Sequence, residues 1–328
     1  MSIPIIFTHR GYSDYMEYSL RQAKFSNPDS EVVLLGDDRN DRFDFVTHEK
    51  ITDFGEKAQE FSLKYKHFST NPYNYEMFCI QRWFIISEYM QKRGIKKAFL
   101  CDTDVLIYSD LQQALRPFQA KGIALIKRGE EYSLGISYIT LEMLILFCNY
   151  IFDCYNSDRC IAEFAQYYQN LRKNNMLGGI SDMTLISKAI KAMPADAVSS
   201  LLEVHDNATF DLHIGIPDQM EGDYYRFFSG RKVIRWEKGH PYCFSFRYKQ
   251  LILFHLLHFQ GPSKYLMSKF YTGPRFPGKR KLDVKFFLAN IAAFWYKHLR
   301  IRYRFARIFD LYFSWKQKRQ ESTGRPFI

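Results

Sequence analysis

The chain has 328 residues, of which 47% are hydrophobic, 17% aromatic and 25% charged, and its formal net charge is +11. This length and composition are typical of a globular protein with a sizeable core, and they exclude collagen-like, low-complexity and disordered chains. Six cysteines without a C-x-x-C pair indicate reduced, cytosolic usage, and the N-terminus shows no signal-peptide pattern. No stretch of about 18 uncharged apolar residues predicts a membrane-spanning helix.

The first 36 residues predict a strand, a helix and a second strand. Residues 3–8 and 31–35 are apolar runs of strand length, and a helix with apolar residues at helical spacing begins near Ser13. This order predicts a βαβ unit and a parallel sheet. Residues 39–75 are polar with scattered aromatics, and we expect an irregular connection there.

The middle of the chain alternates predicted helices and strands. Residues 76–91 carry an apolar stripe at helical spacing, with Arg82 on its flank. A buried guanidinium needs a partner or an exit to solvent. Residues 98–108 predict one strand that carries two aspartates. The other predicted segments are strands at 123–126 and 135–140, helices at 141–155, 162–173 and 183–192, and a last apolar run at 250–259.

Two carboxylates at the end of a buried strand are the most informative pattern. Asp102 and Asp104 present hard oxygen ligands where a strand ends, which suits a divalent cation that carries a phosphorylated substrate. Far downstream, His258 is followed by Lys264, and these side chains suit a metal ligand and a phosphate contact. Asp182 follows two glycines at a helix start. The set predicts a Mn²⁺ or Mg²⁺ site.

The segments 99–106 and 258–264 carry a resemblance to a known group. An apolar strand that ends in D-x-D, followed about 150 residues later by H-x-x-G-x-x-K, is similar to GT-A-type nucleotide-sugar glycosyltransferases, closest in layout to glycosyltransferase family 8. The resemblance covers roughly residues 3–265. It implies an α/β, GT-A-like (Rossmann-like) fold, with a mixed, mostly parallel sheet flanked by helices.

The resemblance also implies a role for each matching residue. Asp102, Asp104 and His258 would hold the metal, and Lys264 would contact the diphosphate. Arg82 would contact the donor, and Thr8 and Tyr12 would contact its base and ribose. Asp182 would be the catalytic residue and would contact the sugar or the acceptor.

The last 50 residues differ from the rest. Residues 279–328 contain 13 Lys and Arg but only 3 Asp and Glu, which gives this segment +10 of the total charge. Aromatic residues and a basic stripe recur there at helical spacing, the stripe formed by Lys297, Arg300, Arg304 and Arg307. We therefore predict a catalytic domain at 1–278 and a basic amphipathic helical tail at 279–328 that binds an anionic membrane surface. A helix packed on the catalytic domain is the alternative. We expect no nucleic-acid partner, because no nucleic-acid-binding motif accompanies the charge.

Together with this resemblance, these patterns predict a metal-dependent hexosyltransferase that moves a sugar from a UDP-linked donor to a glycan or glycolipid acceptor in cell-surface glycan synthesis. We expect it in the cytoplasm, peripheral on the inner face of the plasma membrane. Two alternatives stay open. Asp102-Thr103-Asp104-Val105 also fits the D-x-D-x-[TV] pattern of haloacid-dehalogenase-type phosphatases, with Asp102 as nucleophile. The chain could instead be a non-catalytic membrane adaptor that acts through its tail.

Overall fold

The structure, a computed structural model, describes residues 2–119, 121–128, 131–220 and 223–298. The chain forms two compact units, Met1–Arg275 and Phe276–Ile328. The boundary at residue 278 that the charge distribution indicates stays a prediction.

The strands of the described residues all lie in the first unit, and most of them are short. In chain order they are β1 Ile5–Thr8, β2 Val32–Gly36, β3 Thr47–Lys50, β4 Lys97–Cys101, β5 Val105–Ile107, β6 Ile123–Arg128, β7 Glu131–Thr140, β8 Val198–Ser200, β9 Ala208–Thr209, β10 Asp218–Met220, β11 Asp223–Tyr224, β12 Phe227–Phe228, β13 Arg231–Lys232, β14 Arg235–Glu237, β15 His240–Ser245, β16 Gln250–Phe254 and β17 Leu256–His258.

The α-helices of the described residues are α1 Met16–Ser26, α2 Glu56–Ser62, α3 Tyr73–Lys92, α4 Leu111–Ala114, α5 Leu141–Asn156, α6 Asp158–Lys173, α7 Asp182–Ala189, α8 Met267–Phe270 and α9 Lys279–His298. Among these residues, no helix is both long enough and apolar enough to cross a bilayer.

A seven-stranded sheet with the order β3-β2-β1-β4-β7-β6-β8 forms the centre of the first unit. The pairs β2–β3, β1–β2, β1–β4 and β6–β8 are parallel, whereas β7 runs antiparallel to both β4 and β6. Apolar side chains cover both faces, since one cluster packs α3 and α5 against the sheet and another packs α1 on the opposite side. The predicted mixed, mostly parallel α/β sheet with flanking helices is therefore confirmed.

The predicted βαβ start is also present, and β1 and β2 pair in parallel across the connection through α1. Both strands are buried, which agrees with their continuous apolar runs. Their shared carboxyl edge places the loop after β1 beside the loop after β2.

Two segments differ from the sequence-based expectation. Residues 39–75 are not an irregular connection, because they contain β3 and α2; β3 is a half-exposed edge strand of polar residues without an apolar run. Residues 98–108 are not one strand either. The chain turns after Cys101, and β4 and β5 belong to different sheets.

A second, antiparallel region follows α7. Strands β14, β15 and β16 form an antiparallel sheet that β9 extends in parallel, and β17 leaves this sheet to pair antiparallel with β5. The downstream half of the unit thus returns to the turn that follows β4.

The second unit is described through α9, a 20-residue helix that begins the basic segment. Arg300, Arg304 and Arg307 of the predicted basic stripe lie outside the described residues.

Candidate metal and diphosphate site

Strand pairing brings the far-downstream histidine to the D-x-D turn. His258 is the register partner of Val105, the residue after Asp104. The backbone amide of Phe259 also donates to the Asp104 carbonyl over 2.9 Å. The imidazole and both carboxylates therefore reach one point from segments about 150 residues apart.

The three predicted ligands converge. One ligand atom each from Asp102, Asp104 and His258 can be chosen so that all lie within 4.8 Å of one another. Within the described ranges, no other group of three His, Cys, Asp or Glu side chains meets this criterion. We refer to these residues as the Asp–Asp–His cluster.

Each carboxylate of the cluster divides its two oxygens between a cationic side chain and the cluster. Asp102 Oδ1 accepts from Arg82 Nη1 at 2.7 Å, while Asp102 Oδ2 lies on the side of His258 and Gly135. Asp104 Oδ2 lies 3.3 Å from Lys264 Nζ, and its Oδ1 lies 3.3 Å from His258 Nε2. One oxygen of each acid thus remains available to a cation.

The histidine is oriented as a metal ligand. His258 Nδ1 lies 3.0 Å from the Leu212 carbonyl, which can only accept, so Nδ1 carries the proton. Without a second proton, Nε2 then presents a lone pair to Asp104 Oδ1. Both atoms are buried and have no hydrogen-bond partner among the described residues. Two acceptors at this distance need a proton or a metal ion between them, and a carbonyl that fixes the tautomer is typical of metal-bound histidines.

The electrostatics of the cluster favour that cation. Burial alone would raise the pKa of Asp104, but His258 and Lys264 outweigh it and lower the pKa to about 2. Burial alone would likewise lower the pKa of His258, yet Asp104 raises it above its ordinary value. A divalent ion between Asp104 Oδ1 and His258 Nε2 would satisfy both atoms.

Gly135 leaves the space for a bound ion. A Cβ at this position of β7 would lie 2.8 Å from Asp102 Oδ2 and 3.4 Å from His258 Cε1. The Gly135 carbonyl also accepts from the Asp102 amide at 2.7 Å and fixes the start of the turn. Any side chain here would enter the cluster, so the donor set and the available space both fit a divalent ion.

Arg82 connects the cluster to Asp182. Its Nη2 donates to Asp182 Oδ2 at 2.9 Å, and the indole nitrogen of Trp83 donates to the same oxygen at 3.1 Å. Asp182 Oδ1 accepts from the backbone amide of Met183. The Asp182 side chain is only 6% exposed, so the structure places it behind Arg82. Its predicted contact with sugar or acceptor stays a prediction.

Lys264 lies beside Asp104, and its predicted contact with phosphate stays a prediction. Its ammonium group also lies 5.0 Å from the centre of the Tyr15 ring, and its side chain is 31% exposed. A partly exposed ammonium group next to the cluster can reach an anionic ligand without leaving Asp104.

Thr8 and Tyr12 lie at the carboxyl edge of the sheet, away from the direct contacts of the cluster. The Thr8 hydroxyl is buried and has no partner in the described part of the chain, so it can accept or donate to a ligand. Tyr12 stacks on Phe43 with ring centres 6.3 Å apart and carries the Arg42 guanidinium at 4.5 Å. The donor contacts predicted for both residues stay predictions.

The loop between Thr8 and Tyr12 is held by buried polar contacts. Asn40 donates to the carbonyls of His9 and Gly11 at 2.8 Å each, and Asp37 accepts from the Gly11 amide. His9 Nδ1 lies 2.9 Å from the Thr103 hydroxyl. The loop after β1 is thereby tied directly to the D-x-D turn.

Sequence reasoning missed a buried ion pair behind His258. Asp211 and Lys232 are fully buried, and their charged groups lie 2.8 Å apart. Asp211 Oδ2 accepts from the backbone amide of His258 at 3.1 Å, and Lys232 also donates to the His213 carbonyl. The pair fixes the backbone that carries the imidazole. Asp211 in a loop and Lys232 in a short strand, 21 positions apart, give no sequence pattern that would reveal the pair.

The solved structures that are similar to this chain include glycosyltransferases. The chain is 10% identical to mouse xyloside xylosyltransferase 1, and the match covers 61% of this chain and 85% of that one with a TM-score of 0.43. For the glycosyltransferase GlyE of Streptococcus pneumoniae TIGR4 the identity is 14%, the coverage 65% and 48%, and the TM-score 0.35. For the galactosyltransferase LgtC, solved with donor and acceptor sugar analogs, these values are 13%, 64% and 76%, and 0.36.

No protein-family model and no curated protein matches the sequence. The structural similarities concern the fold, so the argument for a function starts from the geometry of the site.

Proposed function

We propose that this protein is a glycosyltransferase that uses a divalent metal ion to transfer a sugar from a nucleotide-diphosphate donor to a hydroxyl acceptor. The convergence of Asp102, Asp104 and His258, with Lys264 beside them, carries this proposal. The resemblance of the D-x-D and H-x-x-G-x-x-K motifs to those of GT-A-type glycosyltransferases agrees with this proposal. The names of the similar solved structures agree with it as well.

The charge of the site supports an anionic, metal-bound ligand. Asp102, Asp104 and Asp182 face the cationic side chains of Arg82 and Lys264, which leaves a net charge of −1 when His258 is neutral. A divalent ion turns this into a positive site. This positive charge attracts a diphosphate. A site for a phosphomonoester would not need the His258 imidazole or a second carboxylate.

The residues have distinct roles in this proposal. Asp102, Asp104 and His258 hold the ion, which would stabilise the negative charge that develops on the diphosphate as the glycosidic bond breaks. Lys264 contacts the phosphates, and Arg82 stays beside the donor because Asp182 and Trp83 fix its position. Thr8 and Tyr12 contact the base and the ribose of the donor. We propose UDP as the nucleotide and Mn²⁺ or Mg²⁺ as the metal.

Donor binding is tested by thermal shift with UDP-, GDP- and CMP-sugars, each with and without Mn²⁺. A ligand that binds only the folded protein raises its melting temperature by mass action. We expect a rise that needs Mn²⁺ with a UDP-sugar, and its loss in His258→Ala. Metal-independent stabilisation, or an unchanged response of His258→Ala, would contradict the proposed site.

The phosphatase alternative is tested with the same protein. Release of free phosphate from a phosphomonoester panel, without any response to nucleotide sugars, would favour Asp102 as a nucleophile. We expect no such release.

We further propose that the acceptor is a glycan or glycolipid of the cell surface, and that the basic tail keeps the protein on the cytoplasmic face of the plasma membrane. Thirteen Lys and Arg in residues 279–328 support an anionic lipid partner. The full-length variant Arg300→Glu, Arg304→Glu, Arg307→Glu should bind phosphatidylserine vesicles more weakly than the parent protein. Equal binding would remove the tail from the membrane contact. If mutation of Asp102 and Asp104 leaves the cellular role intact, the protein is an adaptor and not an enzyme.

A further inference from the structure

The antiparallel region presents a sheet face that combines aromatic and basic side chains. In β15 the alternate residues Pro241, Cys243 and Ser245 are buried, while Tyr242 and Phe244 are half-exposed on the opposite face. Their register partners in β16, Leu253 and Leu251, are half-exposed as well. The part of the outward side formed by Tyr242, Phe244, Leu251 and Leu253 is therefore apolar, where a solvated sheet face normally carries polar residues.

The segment before β12 extends this face. Tyr225 pairs with Ser245 and is buried, so its neighbours Tyr224 and Arg226 lie on the outward side. The Phe246 amide donates to the Tyr224 carbonyl, and the Arg226 amide to the Phe244 carbonyl, which places these side chains next to each other. Tyr224 is 54% and Phe246 56% exposed.

A tight hairpin projects a further aromatic residue. Strands β12 and β13 pair antiparallel around Ser229 and Gly230, whose φ angles of 50° and 77° are typical of a two-residue turn. Phe228, beside this turn, is 77% exposed, and its register partner is Arg231. A large apolar side chain at the tip of a polar turn has little to pack against in the monomer.

The surroundings are strongly basic. Residues 224–250 contain seven Lys and Arg and a single acidic residue, Glu237. Lys232 is buried with Asp211, and Glu237 pairs with Arg235. Within the described chain, no carboxylate forms an ion pair with the remaining basic residues of this segment, which include Arg226, Arg231, Arg247 and Lys249. We call the surface formed by Tyr224, Arg226, Phe228, Arg231, Phe244 and Phe246 the aromatic–basic face.

We propose that the aromatic–basic face is a membrane contact surface that binds anionic lipid bilayers independently of the C-terminal tail. Arg226 lies over the Phe244 ring at 5.2 Å. Exposed aromatic rings beside guanidinium groups that form no ion pair within the described residues match the bilayer interface, where rings enter the boundary between headgroups and acyl chains and cations meet lipid phosphate. A soluble polyanion would use the arginines but leave Phe228 and Phe246 in water. The surface thus favours lipid, and it extends the proposed function by a second contact within the first unit.

The test compares two sets of substitutions in the full-length chain. Phe228→Ser with Phe246→Ser removes the exposed rings, and Arg226→Glu with Arg231→Glu reverses the charge. The matched controls are Phe25→Ser with Tyr167→Ser, which are exposed aromatics elsewhere, and Arg172→Glu with Lys173→Glu. Vesicles of phosphatidylcholine with 30% phosphatidylserine are sedimented with each protein, and the melting temperatures verify folding.

We expect each pair on the aromatic–basic face to weaken vesicle affinity by at least about tenfold, and each control pair to change it less than about twofold. The loss should persist when the tail already carries the three charge reversals described above. That background separates this proposal from the proposed role of the tail, since either contact can fail alone.

Two results would overturn the proposal. One is vesicle affinity that stays at the parent value in both pairs of variants. The other is retained vesicle affinity together with lost binding to heparin, used as a soluble polyanion, which would assign the surface to an anionic polysaccharide.

Discussion

The Asp–Asp–His cluster joins two regions of the molecule that are built in different ways. Asp102 and Asp104 follow β4, in the parallel part of the central sheet, where neighbouring strands are connected by helices. His258 arrives from the antiparallel region, and its place depends on the pairing of β17 with β5. The acids are positioned by a strand end, whereas the imidazole is positioned by strand register.

The polar groups that support the two regions differ in the same way. The loop after β1 is held by the neutral side chain of Asn40 and by the partly exposed carboxylate of Asp37, whereas the strand that carries His258 is held by the fully buried pair Asp211–Lys232. A fully buried ion pair is a costly support, because either charge alone is strongly destabilising. The antiparallel region should therefore respond to the loss of either member of this pair more steeply than the parallel region responds at an exposed ion pair.

The largest expected effect is on stability, from Lys232→Met. The variant leaves the fully buried carboxylate of Asp211 unpaired, which should lower the free energy of unfolding by about 3–5 kcal/mol. Urea denaturation measures this loss. Asp211→Leu with Lys232→Met should recover part of it, while Arg159→Met, at an exposed pair, should cost less than about 0.5 kcal/mol. Equal costs at the two pairs would remove the distinction between the regions.

Asp104→Asn should abolish most activity while leaving the fold intact. Loss of one ligand charge is expected to lower sugar transfer by about 10²–10³-fold and to weaken Mn²⁺ binding measured by calorimetry. Asp110→Asn is the matched control on the same segment, because Asp110 caps α4 and asparagine caps equally well. Similar Mn²⁺ affinities in the two variants would disprove the assignment of Asp104.

Gly135→Ala tests whether the ion needs the space beside the cluster, because this substitution changes the space without changing any charge. The added methyl group approaches Asp102 Oδ2 and His258, so we expect Mn²⁺ binding to weaken by about 10–100-fold. Ser137→Ala, two residues further along the same strand, should bind Mn²⁺ normally. Undiminished affinity of Gly135→Ala would show that the ion does not occupy this space.

The smallest effect concerns pH. Burial, with a smaller contribution from His240, lowers the pKa of His255 to about 4. The neutral ring is therefore favoured in the folded state, and its contribution is complete above pH 6.5 and lost as the pH falls towards 4. Between pH 6.5 and 4, the free energy of unfolding measured in urea should fall by about 1–2 kcal/mol less in His255→Gln than in the parent protein. His205→Gln, at a half-exposed site, is the control, and a parallel loss of sensitivity there would implicate a general charge effect.

The parallel region could be predicted well from the sequence, because its strands are apolar runs and its connections are local. The helix over 76–91 and the strands around it appear in the structure as α3, β4 and β7. The polar edge strand β3 could not, since its half-exposed residues Thr47–Lys50 carry no strand pattern.

The geometry of the site was predictable only in part. Sequence motifs indicate that Asp102, Asp104 and His258 serve one cation, but the division of each carboxylate between a cationic side chain and the cluster depends on tertiary contacts. Gly135 could not be found at all, because the need for a missing Cβ arises from atoms of Asp102 and His258 that arrive from other strands.

Arg82 and Lys264 have a consequence for how the protein handles its ion. Asp102 is paired with Arg82, Asp104 is paired with Lys264, and His258 lies in hydrogen-bonding distance of the Leu212 carbonyl. The ligands are therefore held in their binding geometry before an ion binds. Treatment with a chelator should consequently leave the melting temperature nearly unchanged. The ion would then exchange as a reversible co-substrate that enters with the diphosphate, and its supply in the cell could set the rate at which the protein works.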